Sequence, residues 1–376
     1  MNRYKLKDLS LSKLEYGSGA AASEYDGVTR YVRITDIDDD GNLGHDIVSP
    51  NLVEDKYLLN EGDVVFARTG ATVGKTFRYR ESDGRCIYAG FLIRVVPNQE
   101  LIRPDYLYFF TKSPQYRQFV QSSMKVVAQP NINAKQYGDL EFNVPDLNTQ
   151  DEIVSNLLAL SHIVELRKRE LSALDNLIKA RFVEMFGTPY VNEKGFPMLT
   201  VDDVIEFTGG AQPDKKYFEY EPTEDNIRLI QIRDYKTDNY ITYIPKSMAK
   251  RFCKADDIMI GRYGPPIFQI LKGIEGSYNV ALMKATPKIG NKEFIRYFLK
   301  QECLFNYLDG LSQRTAGQSG IEMPALKAYP FPYPPIELQE QFEQFANQVD
   351  KSKVAVQKAL DETQLLFDSL MQKYFG

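Results

Sequence analysis

Histidine is nearly absent from this chain and tryptophan is missing altogether: its 376 residues include two histidines, His45 and His162, and no tryptophan. Two isolated histidines give no metal-ligand pair at helical spacing and no credible Ser/His/Asp set, so zinc hydrolase and serine hydrolase chemistry are set aside. Cysteine is scarce as well. Cys86, Cys253 and Cys303 form no CxxC and are odd in number, which fits reduced, packed thiols rather than disulfides or a zinc cluster. Long hydrophobic runs are also lacking. No stretch of about 18 apolar residues exists to span a bilayer, and Met1 to Ser10 lacks the apolar core of a signal peptide, so a cytoplasmic protein with no membrane partner is expected.

A strong positive charge is missing too, since the net charge is −5. As a single number this argues against a nucleic-acid partner, whose phosphates demand local positive charge. The distribution says more. Residues 1–63 carry 7 Lys+Arg against 13 Asp+Glu, whereas residues 64–135 carry 11 against 4, and residues 258–324 carry 8 against 5. Acidic and basic segments therefore alternate along the chain.

Two segments are free of glycine and proline, Asp146 to Phe186 and Ile336 to Phe375. Pro145 and Pro334-Pro335 open them, and Gly187 and Gly376 close them after a phenylalanine, which are start and stop signals for helices. About 40 residues at 1.5 Å each make a rod of roughly 60 Å. The first carries Ile153, Leu157, Leu160, Val164, Leu171, Leu174, Ile178 and Met185 in alternating steps of four and three, interrupted by Arg167 and Arg181. In the second the series is Phe342, Ala346, Val349, Val356, Leu360, Phe367, Leu370 and Tyr374, interrupted by Lys353 and Thr363. Such seams predict a coiled coil, antiparallel because the second helix can follow the first only by running back.

The remainder repeats in order. RYVRITDI (Arg30 to Ile37) matches RLIQIRDY (Arg228 to Tyr235), and GDVVFARTG (Gly62 to Gly70) matches DDIMIGRYG (Asp256 to Gly264). YLYFF (Tyr106 to Phe110) matches FIRYF (Phe294 to Phe298), Gln129 and Ile132 match Gln318 and Ile321, and VPDLNTQDEI (Val144 to Ile153) matches YPPIELQEQF (Tyr333 to Phe342). Five ordered matches indicate a duplicated domain. The expected fold is α+β: two tandem β-rich domains (1–145 and 188–335) separated and followed by long helices (146–187 and 336–376), with pseudo-twofold symmetry. Strands are expected at Tyr31 to Ile37, Asp63 to Ala67, Phe91 to Val96, Ile227 to Ile232 and Ile258 to Ile260, and one helix at Pro104 to Gln121.

The motifs contain little catalytic chemistry. ARTGATVGKT (Ala67 to Thr76) approaches a phosphate loop, but the required first glycine falls on Thr69. YPPI at Tyr333 shares only its prolines with the amino-methyltransferase box. What remains suits DNA: Arg68 and Thr69 after an apolar strand, flanked by Gly70 and Gly74, then Lys75 and Arg78, with Arg262 and Tyr263 in the matching place. Arg68 and Arg262 either contact DNA or pair, buried, with Asp63 and Asp257. A second cluster holds Lys125, Asn131 and Asn133, with Arg314 opposite; Gln129 and Gln318, kept in both halves, are expected to pin the loop. Arg33 and Arg233, within the first repeated strand, complete the candidate DNA-binding set.

This ordered duplication, with GDVVFARTGATVGK and VPDLNTQDEI as its most telling stretches, resembles the DNA-specificity subunits of type I restriction-modification systems over nearly the whole chain. The resemblance implies two target-recognition domains reading a split double-stranded DNA sequence, with helices that act as a ruler and as a docking surface for two methyltransferase subunits. The partners would supply S-adenosylmethionine-dependent adenine methylation and, where a restriction subunit joins, ATP- and Mg-dependent translocation and cleavage. The chain itself would bind no cofactor and catalyse nothing. Because the halves differ at ARTGATVGK against GRYGPPIFQ and KVVAQPNIN against RTAGQSGIE, the target would be asymmetric. The competing reading is a two-headed protein-binding scaffold with a coiled-coil spacer; a self-sufficient endonuclease is disfavoured because no carboxylate cluster repeats.

Overall fold

Proline and glycine delimit the two longest elements as their positions predict. A computed structural model describes residues 2–124, 130–264, 266–312 and 320–376. Leu147–Phe186 and Ile336–Phe375 are each continuous helices of 40 residues. Asp146 caps the first, its carboxylate accepting the Thr149 N–H at 3.0 Å and the Thr149 hydroxyl at 2.8 Å. Gly187, at φ +72°, ends it with a bond to the Val183 carbonyl, a left-handed turn that glycine adopts freely. All sixteen apolar seam positions are buried or half-buried, as the four-three spacing requires.

The chain divides into two compact units, Met1–Lys168 with Lys358–Gly376, and Arg169–Gln357. In unit 1 a four-stranded antiparallel sheet runs in the order Glu15–Tyr16, Leu92–Val95, Val64–Ala67, Thr76–Arg78. Unit 2 repeats that order with Ile205–Gly209, Leu282–Pro287, Ile258–Gly261 and Gln269–Lys272. The central strands Val64–Ala67 and Ile258–Gly261 are buried on both faces, which explains their unbroken apolar sequences. A parallel pair accompanies each sheet: Thr29–Val32 with Arg85–Tyr88, and Asn226–Ile230 with Gly276–Tyr278.

Each core is aromatic and includes the end of a long helix. In unit 1 Phe110 stacks on Phe142 with ring centres 3.9 Å apart, and Phe375 meets Tyr106 at 5.1 Å. In unit 2 the corresponding Phe186 meets Phe294 at 4.7 Å, and Phe182 lies against both Phe294 and Phe342. The Phe-Gly that ends each helix is thus an anchor as well as a stop signal. At the start of each helix a fully buried glutamine does the complementary work. Gln150 accepts the Arg103 N–H at 2.8 Å and donates to the Leu101 and Pro145 carbonyls at 2.9 Å. Its repeat, Gln339, accepts the Asn291 N–H and donates to the Pro334 carbonyl, both at 2.8 Å.

Two expected elements are corrected. Residues 104–121 are not one helix: Pro104–Phe110 ends and Pro114–Met124 begins anew, because Pro114 removes a helical donor and restricts the residue before it. The expected strand Tyr31 to Ile37 stops at Val32 and turns into a 3-10 helix at Ile34–Asp36, since the Asp36 carboxylate bends back to accept the Arg33 N–H at 2.8 Å. Asp234 does the same to Gln231 in unit 2. The cysteines are free; burial raises the Cys86 thiol to about 12 and the Cys253 thiol to about 11. Among the described residues no helix is long and apolar enough to cross a membrane, and no cluster of His, Cys, Asp and Glu could hold a metal ion.

Candidate nucleic-acid interface

Both loops singled out by their sequence are brought together in unit 1. The buried strand Val64–Ala67 delivers Arg68, whose N–H bonds the Phe91 carbonyl at 3.0 Å. The chain then turns through Gly70 (φ +73°) and Gly74 (φ +88°) and returns as strand Thr76–Arg78. A strand follows the Gly-Lys where a phosphate loop needs a helix, so the near-match is not a nucleotide site. Two buried tyrosines clamp the loop: Tyr137 donates to the Ala67 carbonyl at 2.8 Å and Tyr116 to the Gly74 carbonyl at 3.0 Å. The second segment lies beside it, with Thr69 bridged to Asn131 and the Ile132 N–H bonded to the Arg68 carbonyl at 2.8 Å.

Arg68 is half-buried and its guanidinium lies 4.7 Å from the centre of the Tyr16 ring. Its Nε donates to Asn131 Oδ1 at 3.3 Å, while among the described residues its two terminal nitrogens have no partner. Asp63 is elsewhere, completely buried beside Arg94 at 3.8 Å, so the alternative of an Arg68–Asp63 pair is ruled out. Burial raises the Asp63 carboxyl above its ordinary range, partly offset by the Asn60 N–H and by Arg94.

Unit 2 builds the same frame with other residues. The Arg262 N–H bonds the Ala281 carbonyl at 2.9 Å, and Tyr263 is bridged to Gly320, as Thr69 is to Asn131. Asp257 pairs with Lys284 at 3.4 Å rather than with Arg262. Gly209 stands at the sheet position that Tyr16 occupies in unit 1, and Arg262 lies instead over its own neighbour, with its guanidinium 5.2 Å from the Tyr263 ring centre. Tyr263 is exposed.

The other candidates separate. Arg33 is withdrawn: it binds the buried Asp36 at 2.7 Å and Asp46 at 2.9 Å, and these pairings, Asp36 first, hold its proton more tightly than usual. Arg78 is withdrawn also, because Glu61 at 2.7 Å and Asp105 at 3.2 Å engage both its terminal nitrogens. Asn133 is the cap of helix Ala134–Gly138, its Oδ1 accepting the Gln136 N–H at 2.9 Å, so its side chain has a structural task. Lys75 is tied to Asp39 at 2.9 Å and lines a groove of 1230 Å³ away from Arg68's partners. Arg233 remains exposed, with one bond to Thr242 Oγ1 at 3.1 Å. Lys125, Gln129, Arg314, Gln318 and Ser319 lie outside the described residues.

Tyr16 was missed by sequence reasoning. A signal was present in the glycine after it: Gly17 and Gly210 are both places where a Cβ would strike a backbone carbonyl, that of Ala89 or of Asn279. Aligning those glycines would have set Tyr16 opposite Gly209 and exposed the difference between the halves.

Comparison with known proteins agrees with the duplicated frame. The family model described as the type I restriction modification DNA specificity domain matches twice, over residues 6–176 and 193–363. The chain is 20% identical over 340 residues to the type I restriction enzyme MjaVIII specificity subunit of Methanocaldococcus jannaschii, covering 80% of this chain and 77% of that one. To the EcoKI specificity subunit of Escherichia coli K12 it is 23% identical over 360 residues, covering 87% and 77%. In fold it is similar to the crystal structure of an S subunit from M. genitalium, with a TM-score of 0.59 at 15% identity over 100% of this chain and 96% of that one. A chain from a study of complex assembly in a type I restriction-modification system gives 0.56 at 19% identity over 100% and 97%. The chain belongs to the family of type I restriction-modification DNA specificity subunits, and DNA sequence recognition is its function.

Proposed function

We propose that each unit reads one part of an asymmetric, bipartite double-stranded DNA target, and that the chain, in the cytoplasm, positions two adenine methyltransferase subunits on it. The observation that carries this reading is the loop pair. Both units present an arginine free of acidic partners on the same strand-loop frame, yet surround it with different residues: Tyr16 and Asn131 in one, Tyr263 and Gly320 in the other. A frame kept alike with reading residues changed is what two different half-sites require. Arg68, Arg262, Tyr263 and Arg233 are the contacts we assign to DNA, with Thr69 and Asn131 beside Arg68.

The long helices form an antiparallel, pseudo-twofold coiled coil that sets the spacing between half-sites. Support comes from each core: Ile153 and Phe375 share one, and Phe186 and Phe342 share the other, so each core takes the beginning of one helix and the end of the other. Leu158, Leu166, Leu177, Val183, Val354 and Leu365 stay exposed on these helices, an apolar surface suited to a protein partner. The methyltransferases bring S-adenosylmethionine, a restriction subunit brings ATP and Mg, and this chain contributes recognition without catalysis.

Methylation mapping of genomic DNA with and without the chain tests the proposal. A split, asymmetric adenine-methylated motif that vanishes with the chain is expected; a motif unchanged by its removal would overturn the reading. Purified complex should also lose DNA affinity steeply as salt rises, through counterion release.

A further inference from the structure

We infer that unit 1 reads a guanine through Arg68, and that Tyr16 is the residue that positions it. This rests on the DNA-reading role proposed above. The guanidinium is held at three places before any DNA arrives. The Arg68 backbone is fixed to Phe91, its plane lies 4.7 Å from the Tyr16 ring centre, and its Nε is engaged by Asn131 Oδ1 at 3.3 Å. Tyr16 is itself fixed, since its strand pairs with Leu92–Val95 and its hydroxyl accepts the Ala134 N–H at 3.1 Å.

The hydrogen-bonding character of this group follows from which atoms are consumed. Arginine has no acceptor, so the Asn131 atom facing Nε is the amide oxygen. With that oxygen taken, Asn131 keeps only its Nδ2 hydrogens and cannot make the donor-plus-acceptor contact with adenine expected of a free asparagine. The assembly therefore offers donors alone: the two terminal nitrogens of Arg68 and the amide of Asn131. In the major groove only guanine presents two adjacent acceptors, N7 and O6; adenine pairs its acceptor with a donor, cytosine offers a donor, and thymine one acceptor beside a methyl. Preorganisation sharpens the choice, because a guanidinium already held in plane loses little freedom on binding. The device is confined to unit 1, where unit 2 has Gly209 in place of Tyr16 and Gly320 in place of Asn131.

The test uses the assembled methyltransferase complex and duplexes of its mapped target. Each guanine of the half-site affected by Arg68→Ala is replaced in turn by 7-deazaguanine or by an A·T pair. One guanine should weaken wild-type binding by about 10- to 100-fold and leave the binding of Arg68→Ala unchanged. Tyr16→Leu should lose most of that discrimination while thermal melting and the other half-site stay as in wild type, and Tyr16→Phe, which keeps the ring, should retain it. If Arg68→Ala weakens one half-site but no guanine there responds, the guanine assignment is overturned while DNA reading stands. Full discrimination by Tyr16→Leu overturns the positioning role. An Arg68→Ala complex that binds both half-sites as wild type removes the reading role of the loop itself.

Discussion

Replacing Gln150 by leucine should destabilise unit 1 with little change in volume, because the glutamine works through hydrogen bonds at a position with 0% exposure. The change leaves three groups without their partner: the Arg103 N–H at 2.8 Å and the Leu101 and Pro145 carbonyls at 2.9 Å. An orphaned buried polar group costs about 1–3 kcal/mol, and the larger apolar surface of leucine offsets part of the sum, so a net loss of about 3 kcal/mol is expected. For a unit of this size that lowers the melting temperature by roughly 6–12 °C. Gln339→Leu orphans two groups rather than three, the Asn291 N–H and the Pro334 carbonyl, and should cost about 1 kcal/mol less. The chain has no tryptophan, so urea unfolding is followed by circular dichroism and tyrosine fluorescence, with hydrogen exchange of the Arg103 amide as the local readout. Gln150→Glu supplies a sign check. A carboxyl buried there has its folded pKa raised by desolvation, so the variant should be less stable at neutral pH than near pH 5, where the neutral acid can still donate. A loss below about 1 kcal/mol for Gln150→Leu, or a larger loss for Gln339→Leu, would refute the reasoning.

Two further outcomes are expected. Gly74→Ala should destabilise by more than Gly70→Ala in urea titrations: both have positive φ, but a Cβ at Gly74 would sit 2.7 Å from Val120 Cγ1 while Gly70 faces open space. The strain common to both is about 1 kcal/mol, and only the first adds a clash. Burial lowers the Lys112 ammonium to about 8 from its usual 10.5, against the opposing pull of Asp40, Asp38 and Asp39. The unfolded chain therefore holds this proton more tightly, and stability should rise between pH 8 and pH 9.5; Lys112→Met should flatten that rise, and an unaltered slope would show that another group is responsible.

The parts of the fold that could be read in advance are those where one chemical requirement repeats along the chain. A seam residue must be apolar every third or fourth position, so Ile153 to Met185 announce their helix; Phe186 and Phe375 stand before glycines that must be left-handed or terminal. The parts that stayed hidden depend on pairs distant in sequence. Nothing near Arg33 or Arg78 shows that Asp46 and Glu61 will engage them, and nothing near Arg68 points to a tyrosine 52 positions earlier (68 − 16). Charge alone marked all of these arginines as equal candidates. Packing divides them, because an arginine held between carboxylates must surrender those partners before it can meet a phosphate, whereas one resting on an aromatic face need not.

That division bears on how such a frame could change specificity. The loop after each central strand carries the arginine, but the groups that orient it come from outside the loop: Tyr16 from an edge strand and Asn131 from the segment before a short helix. In unit 2 the edge strand contributes Gly209, whose missing side chain leaves Arg262 to rest on Tyr263 and to donate to the Val280 carbonyl at 3.4 Å. Moving residues 68–74 alone into unit 2 would therefore transplant an arginine without the ring and the amide that fix its plane. The unit of specificity is the arginine together with its distant holders, and the sheet register that pairs Tyr16 with Ile93, and Gly209 with Met283, is what keeps those holders in place while their identities vary.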